Sequence, residues 1–370
     1  MSTIITYAQQ EKRTFAQLPF NVVDSLVLSQ LIYLNFKSVV PSLAEQTAPI
    51  LLKNILDYGS LNHLINAEVR DIPQNTQLLQ ALITSPRFHH LGLNYYQEKI
   101  DDQKEEQFTA ITYFLDPQTA YLAFSGTGAS FIGWKENFNM SFIEPIPSQE
   151  DGLAYVRHVL ETLSPATNFY LGGHSKGGNV AVYAGMHLSP SLKSRLLQIY
   201  SHDGPGFKTA VFSSPPFLSI KDKINKTVAQ SSVVGMLLAQ HETYQVVKSN
   251  RFGLMQHDPF SWLIKNTDFI YTPNHSASAL SLGQALNQWI GNLTDEKRAL
   301  FIDTLYQVIK ANQSKNCNEL TANWYKEAVI ILKQMQSLDP TTRNFILKTI
   351  QALIKLSVKN FCQIPLKSSN

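Results

Sequence analysis

The stretch Phe169-Tyr-Leu-Gly-Gly-His-Ser-Lys-Gly-Gly-Asn-Val-Ala-Val-Tyr183 decides the fold. Phe169 to Gly172 reads as a buried strand and Asn179 to Leu188 as a helix. Between them, Gly173-His-Ser-Lys-Gly177 has the GxSxG form of a nucleophile elbow, with Ser175 at the tip of a strained turn. Side chains at the flanking positions would collide with the neighbouring strand and helix, so glycine is required there. A helix starting directly behind Ser175 aims unpaired N–H groups and a positive dipole end at any oxyanion formed on that side. The plainer alternative is a glycine-rich strand-to-helix turn without chemistry. The strand before it, the helix after it and the extra Gly172 and Gly178 favour the elbow.

An elbow serine needs an acid and a base, which follow it in that order in this kind of fold. The first acidic candidate downstream is Asp203, at the end of the β-favouring run Leu196-Leu-Gln-Ile-Tyr-Ser-His-Asp203 and before the turn Gly204-Pro-Gly206. There it either joins the loops at the carboxyl ends of an α/β sheet or simply closes a strand as an Asx-turn residue. His257 is the candidate base, in the loop Asn250 to Trp262 after a strand predicted over Tyr244 to Ser249. It would accept the serine proton, with Asp203 holding its ring in the right tautomer. The other downstream histidines fit less well. His202 adjoins Asp203 and would face the opposite side of its strand. His241 precedes the last strand, and His275 lies past a helical stretch.

Upstream, Gln107 to Leu115 and Ala120 to Phe124 read as a hairpin joined by Asp116-Pro-Gln-Thr119. The second strand runs into Phe124-Ser-Gly-Thr-Gly-Ala-Ser130, a loop of small residues. Its Thr127 N–H, with the Lys176 N–H next to the nucleophile, would supply the two donors of an oxyanion hole.

These residues carry a resemblance. Phe124-Ser-Gly-Thr127 followed by Gly133-Trp-Lys-Glu-Asn-Phe-Asn-Met140 is similar to the oxyanion segment of class 3 lipases, and Gly173-His-Ser-Lys-Gly177 resembles the GHSxG of the same group. Four segments together resemble the bacterial, lipase-related Mbeg-like α/β-hydrolase family. They are Pro19 to Asp24 with its sequel Tyr33-Leu-Asn-Phe36, the Gly-Trp-Lys-Glu stretch, Asp203-Gly-Pro-Gly-Phe207, and Gln256-His-Asp-Pro-Phe-Ser-Trp262. Covering roughly residues 15 to 265, the resemblance implies an α/β-hydrolase fold and a serine hydrolase of lipase or esterase type. It implies Ser175 as nucleophile and, by placement, Asp203, His257 and Thr127 as its helpers. The arginine usual before the glycine of the lipase segment is Ser125 here. A second strand-like run, Ser231 to Leu238, is followed by Glu242, which makes Glu242 a rival to Asp203 as the acid.

The expected architecture is a mostly parallel, doubly wound sheet with N-terminal helices, forming a hydrolase core over residues 1–275, and a C-terminal helical region over 276–370. Residues 20 to about 70 read as helical, with Asn21 or Asp24 as cap and a second helix over Pro41 to Leu56. A net charge of +3 on 370 residues gives no argument for nucleic acid. Two cysteines, Cys317 and Cys362, make neither a disulfide framework nor a metal site, and no metal or organic cofactor is expected. The first thirteen residues lack the basic-then-apolar order of a signal peptide, so the default expectation is cytoplasmic. The final helix carries a basic, amphipathic face from Arg343 to Lys367, a candidate for contact with an anionic membrane surface. The expected substrate is an ester or lipid with an acyl chain, contacted by Phe131, Met255, Phe260 and Trp262. Thioester cleavage, acyl transfer, or a catalytically silent scaffold would keep the same fold.

Overall fold

The structure is a computed structural model. It describes residues 2–45, 47–66, 69, 71–101, 103–104, 106–127, 136, 140, 144–232, 234–238, 243–251 and 253–276, with isolated residues 280, 283, 287, 294, 340, 344 and 347 beyond. The expected C-terminal helical region, its basic face, Phe131, Glu242 and His241 fall outside the described residues.

A nine-stranded mixed sheet forms the centre. Its strands are β1 (Ile50–Leu51), β2 (Gly92–Asp101), β3 (Glu106–Asp116), β4 (Thr119–Phe124), β5 (Asn168–His174), β6 (Leu196–His202), β7 (Ile224–Ala229) and β8 (Tyr244–Val247). They lie side by side in chain order. A short hairpin, β9 (Ile264–Lys265) with β10 (Asp268–Phe269), precedes β11 (Tyr271–Thr272), which closes the edge beside β8. Strands β4 to β8 are parallel, whereas β1 to β4 pair antiparallel. The parallel stretch therefore sends the carboxyl ends of β4 to β8 to one rim of the sheet.

Helices cover both faces. The crossover helices α4 (Pro147–Thr162) and α5 (Lys176–Met186) pack on one face, where Phe108, Leu122, Phe124, Tyr155, Val159, Leu171 and Val180 share a core. The other face carries the N-terminal helices α1 (Ile4–Gln10), α2 (Val22–Leu31) and α3 (Ile72–Thr84). There Leu26, Val27, Leu31, Ile111, Tyr113 and Tyr121 are all buried in a second core. All ten residues of α2 are buried, so its polar groups need internal partners. A reciprocal capping box supplies some: Asn21 accepts from the N–H groups of Val23 and Asp24, and Asp24 accepts from Asn21 N. Asp24 also accepts from Tyr7 Oη (2.9 Å) and from Nε of Arg87 (2.7 Å). The Arg87 guanidinium, fully buried with it, donates in turn to the carbonyls of Arg13 and Leu18.

Three expectations are corrected. No long helix runs from Pro41 to Leu56; strand β1, a 3-10 turn and a single helical turn over Ile55–Tyr58 stand there. Pro49 restricts Ala48 to extended backbone, and the main chain after Pro41 bonds to β2 through Tyr96 N→Pro41 O. The strand predicted over Ser231 to Leu238 is instead a 3-10 turn at Val234–Met236, and β7 lies earlier, at Ile224–Ala229. The elbow helix starts at Lys176, three residues ahead of the predicted Asn179.

Candidate active site

The elbow follows from what its neighbours leave room for. Ser175 has φ 58° and ψ −130°, a backbone that only a tightly held turn sustains. Its N–H donates to His202 O (2.9 Å), locking the turn to the end of β6, and its carbonyl accepts from Gly178 N (3.0 Å). A Cβ at Gly177 would overlap the carbonyl of Phe124, so helix α5 reaches β4 this closely only with glycine there. Lys176 is the first residue of α5, which leaves its N–H among those without an intrahelical acceptor.

Asp203 directly follows β6. Its side chain is fully buried, and its Oδ2 accepts from His257 Nδ1 at 2.6 Å. Its other oxygen accepts from Ala229 N at 3.2 Å. A carboxylate acceptor on Nδ1 fixes the neutral His257 ring in the tautomer whose Nε2 is an acceptor. The loop before Trp262 holds His257 in turn. Gln256 accepts from Ser231 N (2.7 Å) and donates to Arg251 O (2.9 Å), and Trp262 Nε1 donates to Gln256 O (2.9 Å). Arg251 is paired with Asp258, which also caps the turn that follows through Phe260 N.

The carboxyl neighbour of β6 is bolted to the elbow helix. Asn179 donates to the carbonyls of Pro205 (3.2 Å) and Gly206 (2.9 Å), and accepts from Gln149 of α4 (2.8 Å). His202, whose neighbour Asp203 faces the site, faces away from it. It is fully buried between Ser25 Oγ (2.9 Å) and Thr227 Oγ1 (2.8 Å), and burial pushes its imidazole down to about 3. His275 is buried against Gln230 O and Tyr244.

The loop after β4 passes beside Ser175. A Cβ built on Gly126 would stand 2.9 Å from Ser175 Cβ, and Thr127, the next residue, is buried. Lys176 does more than offer its N–H. Its ammonium is buried and paired with the buried Glu136, which also accepts from Gln107 N (3.1 Å) and Ser148 N (3.0 Å).

The predicted substrate contacts divide. Met255 is half-buried in the 3-10 turn that ends at His257. Phe260 and Trp262 are corrected to core residues: both are buried in the layer under the N-terminal helices, where Trp262 packs on His202 and Phe269. They carry the His257 loop and present no open face. Sequence reasoning missed Asn179, Gln256, Tyr33 and His174. Asn179 and His174 stood out only by their closeness to the elbow, and Tyr33 and Gln256 only as the first residues of two segments that carry the family resemblance.

Among the described residues, no group of three or more His, Cys, Asp or Glu is arranged to hold a metal ion. No helix among them is long and apolar enough to cross a membrane.

Solved structures similar to this chain include three lipases. The Rhizomucor miehei lipase in its propeptide complex has 16% identity and a TM-score of 0.33, over 46% of this chain and 58% of that one. The M37 lipase has 13% identity and a TM-score of 0.37, over 59% and 70%. The lipase of Rhizopus microsporus var. chinensis has 20% identity and a TM-score of 0.32, over 55% and 72%. This chain thus spans less than two thirds of the Rhizomucor lipase, and the topology described above stands without these likenesses. No curated protein matches the sequence. Residues 82–307, more than half of the chain, match the Mbeg1-like family, and the chain belongs to that family.

Proposed function

We propose that the protein is a serine hydrolase of lipase or esterase type that cleaves a carboxylic ester through an acyl-Ser175 intermediate. The observation that carries the reading is the 2.6 Å contact between His257 Nδ1 and the buried Asp203, together with a serine held at φ 58° in the elbow turn. In this reading His257 Nε2 takes the Ser175 proton as Oγ attacks the ester carbonyl. Asp203 holds the ring and stabilises the imidazolium. Charge on the carbonyl oxygen is met by the N–H groups of Thr127 and Lys176. Collapse returns the proton from His257 to the leaving alcohol, and the alcohol departs. A water, deprotonated by the same ring, then attacks the acyl carbonyl and releases the carboxylic acid and Ser175.

The test is labelling with a fluorophosphonate probe, followed by turnover of p-nitrophenyl esters of increasing acyl length. Wild type is expected to label, and Ser175→Ala to lose labelling completely. Asp203→Asn and His257→Ala are expected to label far more slowly. Folded wild type that neither labels nor turns over any ester would sink the reading in favour of a scaffold. A rate that rises with acyl length would assign an acyl-chain substrate, and a flat series a short ester.

A further inference from the structure

Three loops meet at this site, and one tyrosine with one histidine touches all three. Tyr33 lies just past α2, in the half-buried turn that follows it. Its hydroxyl accepts from Gly126 N at 3.0 Å and stands 3.2 Å from His174 Nδ1. The other ring nitrogen of His174, Nε2, is 2.7 Å from the carbonyl oxygen of His257. A carbonyl only accepts, so His174 Nε2 carries the proton and Nδ1 is an acceptor in the neutral ring. The Tyr33 hydroxyl must then be the donor to Nδ1. Every bond therefore has one direction: Gly126 N–H to Tyr33 Oη, Tyr33 O–H to His174 Nδ1, and His174 Nε2–H to His257 O. The ring of His174 also packs on that of His257, with centroids 4.5 Å apart. Space is closed as tightly as the hydrogen bonding, because a Cβ on Gly126 would overlap the Tyr33 hydroxyl.

We infer that Tyr33 and His174 are positioning residues that set the relative placement of the oxyanion loop, the nucleophile and the base loop. The inference rests on the hydrolase reading above. Holding Gly126 N–H on Tyr33 fixes the strand end that leads directly into the Thr127 peptide. Anchoring the main chain of His257 through His174 sets the base from the side opposite Asp203. The turn after α2 and the base loop are distant in sequence from the ends of β4 and β5, which pair as far as Phe124 and Gly173. This relay ties residues 33, 126, 174 and 257 together, and a displacement of about 1 Å at such a site costs on the order of a hundredfold in rate.

The test compares wild type with Tyr33→Phe, His174→Phe and the double variant. Tyr33→Phe removes one oxygen atom, and His174→Phe keeps the ring packed on His257 while deleting both hydrogen bonds. The expected result is a fall in kcat of about ten- to a hundredfold for each single variant, with KM within twofold. The double variant should be little worse than the poorer single one, since both break the same relay. A purely structural role would lower the melting temperature and leave kcat per folded molecule unchanged, and so would overturn the inference. Additive losses in the double variant would overturn it too. A second measurement does not depend on turnover: nitrogen NMR of 15N-histidine protein should give the Nε2–H tautomer for His174 in wild type. If wild type never labels with fluorophosphonate, the hydrolase reading fails separately. The relay is then decided by that spectrum, kept by an Nε2–H tautomer and overturned by Nδ1–H.

Discussion

Two aspartates of this protein, one in helix α2 and one at the end of β6, have fully buried side chains and are handled in opposite ways. Asp24, under the N-terminal helices, is saturated: a backbone N–H, a tyrosine hydroxyl and two nitrogens of the buried Arg87 fill its oxygens. Its partner is permanently charged and has no exposed atom. Asp203, at the rim, has one backbone donor and a histidine whose side chain is 24% exposed. Its partner is a histidine that reaches solvent. The comparison teaches how one residue type serves two ends. A carboxylate whose partners are all fixed ties segments together, and one whose histidine partner reaches solvent fits the proton transfer of the proposed reaction.

The same substitution at both positions tests that contrast most directly. Asp203→Asn should lower the fluorophosphonate labelling rate by about 10⁴-fold while leaving the denaturant midpoint nearly unchanged. A loss of less than tenfold would break the comparison. Asp24→Asn should do the reverse. Arg87 would be left as a buried charge without its counter-charge, costing about 3–5 kcal/mol in urea unfolding, with kcat per folded molecule unchanged. Equal losses of stability in the two variants would show that Asp203 is as structural as Asp24.

A smaller effect sharpens the picture between them. His202 is buried between two hydroxyls and its pKa is lowered to about 3, below the value of about 6.5 that it has in the unfolded chain. Between those values the unfolded chain binds a proton that the folded one refuses. The stability present above pH 6.5 should therefore fall as pH drops toward 3 and level off beyond. His202→Gln should flatten that part of the pH profile of the unfolding free energy. An unchanged slope would mean that another group controls it.

How much of this was legible depends on how local the signal is. The elbow, the hairpin over β3 and β4, and the strand leading to Asp203 are written in consecutive residues. Asp203 and His257 were singled out by their position after strands, and the structure brings their side chains into contact across 54 residues. Strand β7 was missed because Ile224-Asn-Lys-Thr-Val-Ala229 carries three polar residues in a row. Lys226 is nonetheless 2% exposed, so the strand is buried without the apolar run that announces one. Strand β2 was missed as well. Its outer half is exposed and charged, and its register shifts between Asn94 and Gln97, which breaks the alternation that marks a strand. The Asp24–Arg87 pair and the Tyr33–His174 contact join residues 63 and 141 positions apart, and no spacing rule in a single sequence connects them.

The sequential order of the sheet has a consequence for the birth of the molecule. Since each strand from β1 to β8 lies beside the one made just before it, the sheet can be laid down in the order in which the ribosome delivers it. Ser175 and Asp203 emerge early in that sequence, but His257 arrives only after β8, beyond the last parallel strand. A nascent or prematurely terminated chain would thus hold a formed elbow with no base beside it. The activity proposed here would switch on only as the final strand docks, which keeps a serine nucleophile silent for as long as its surroundings are unfinished.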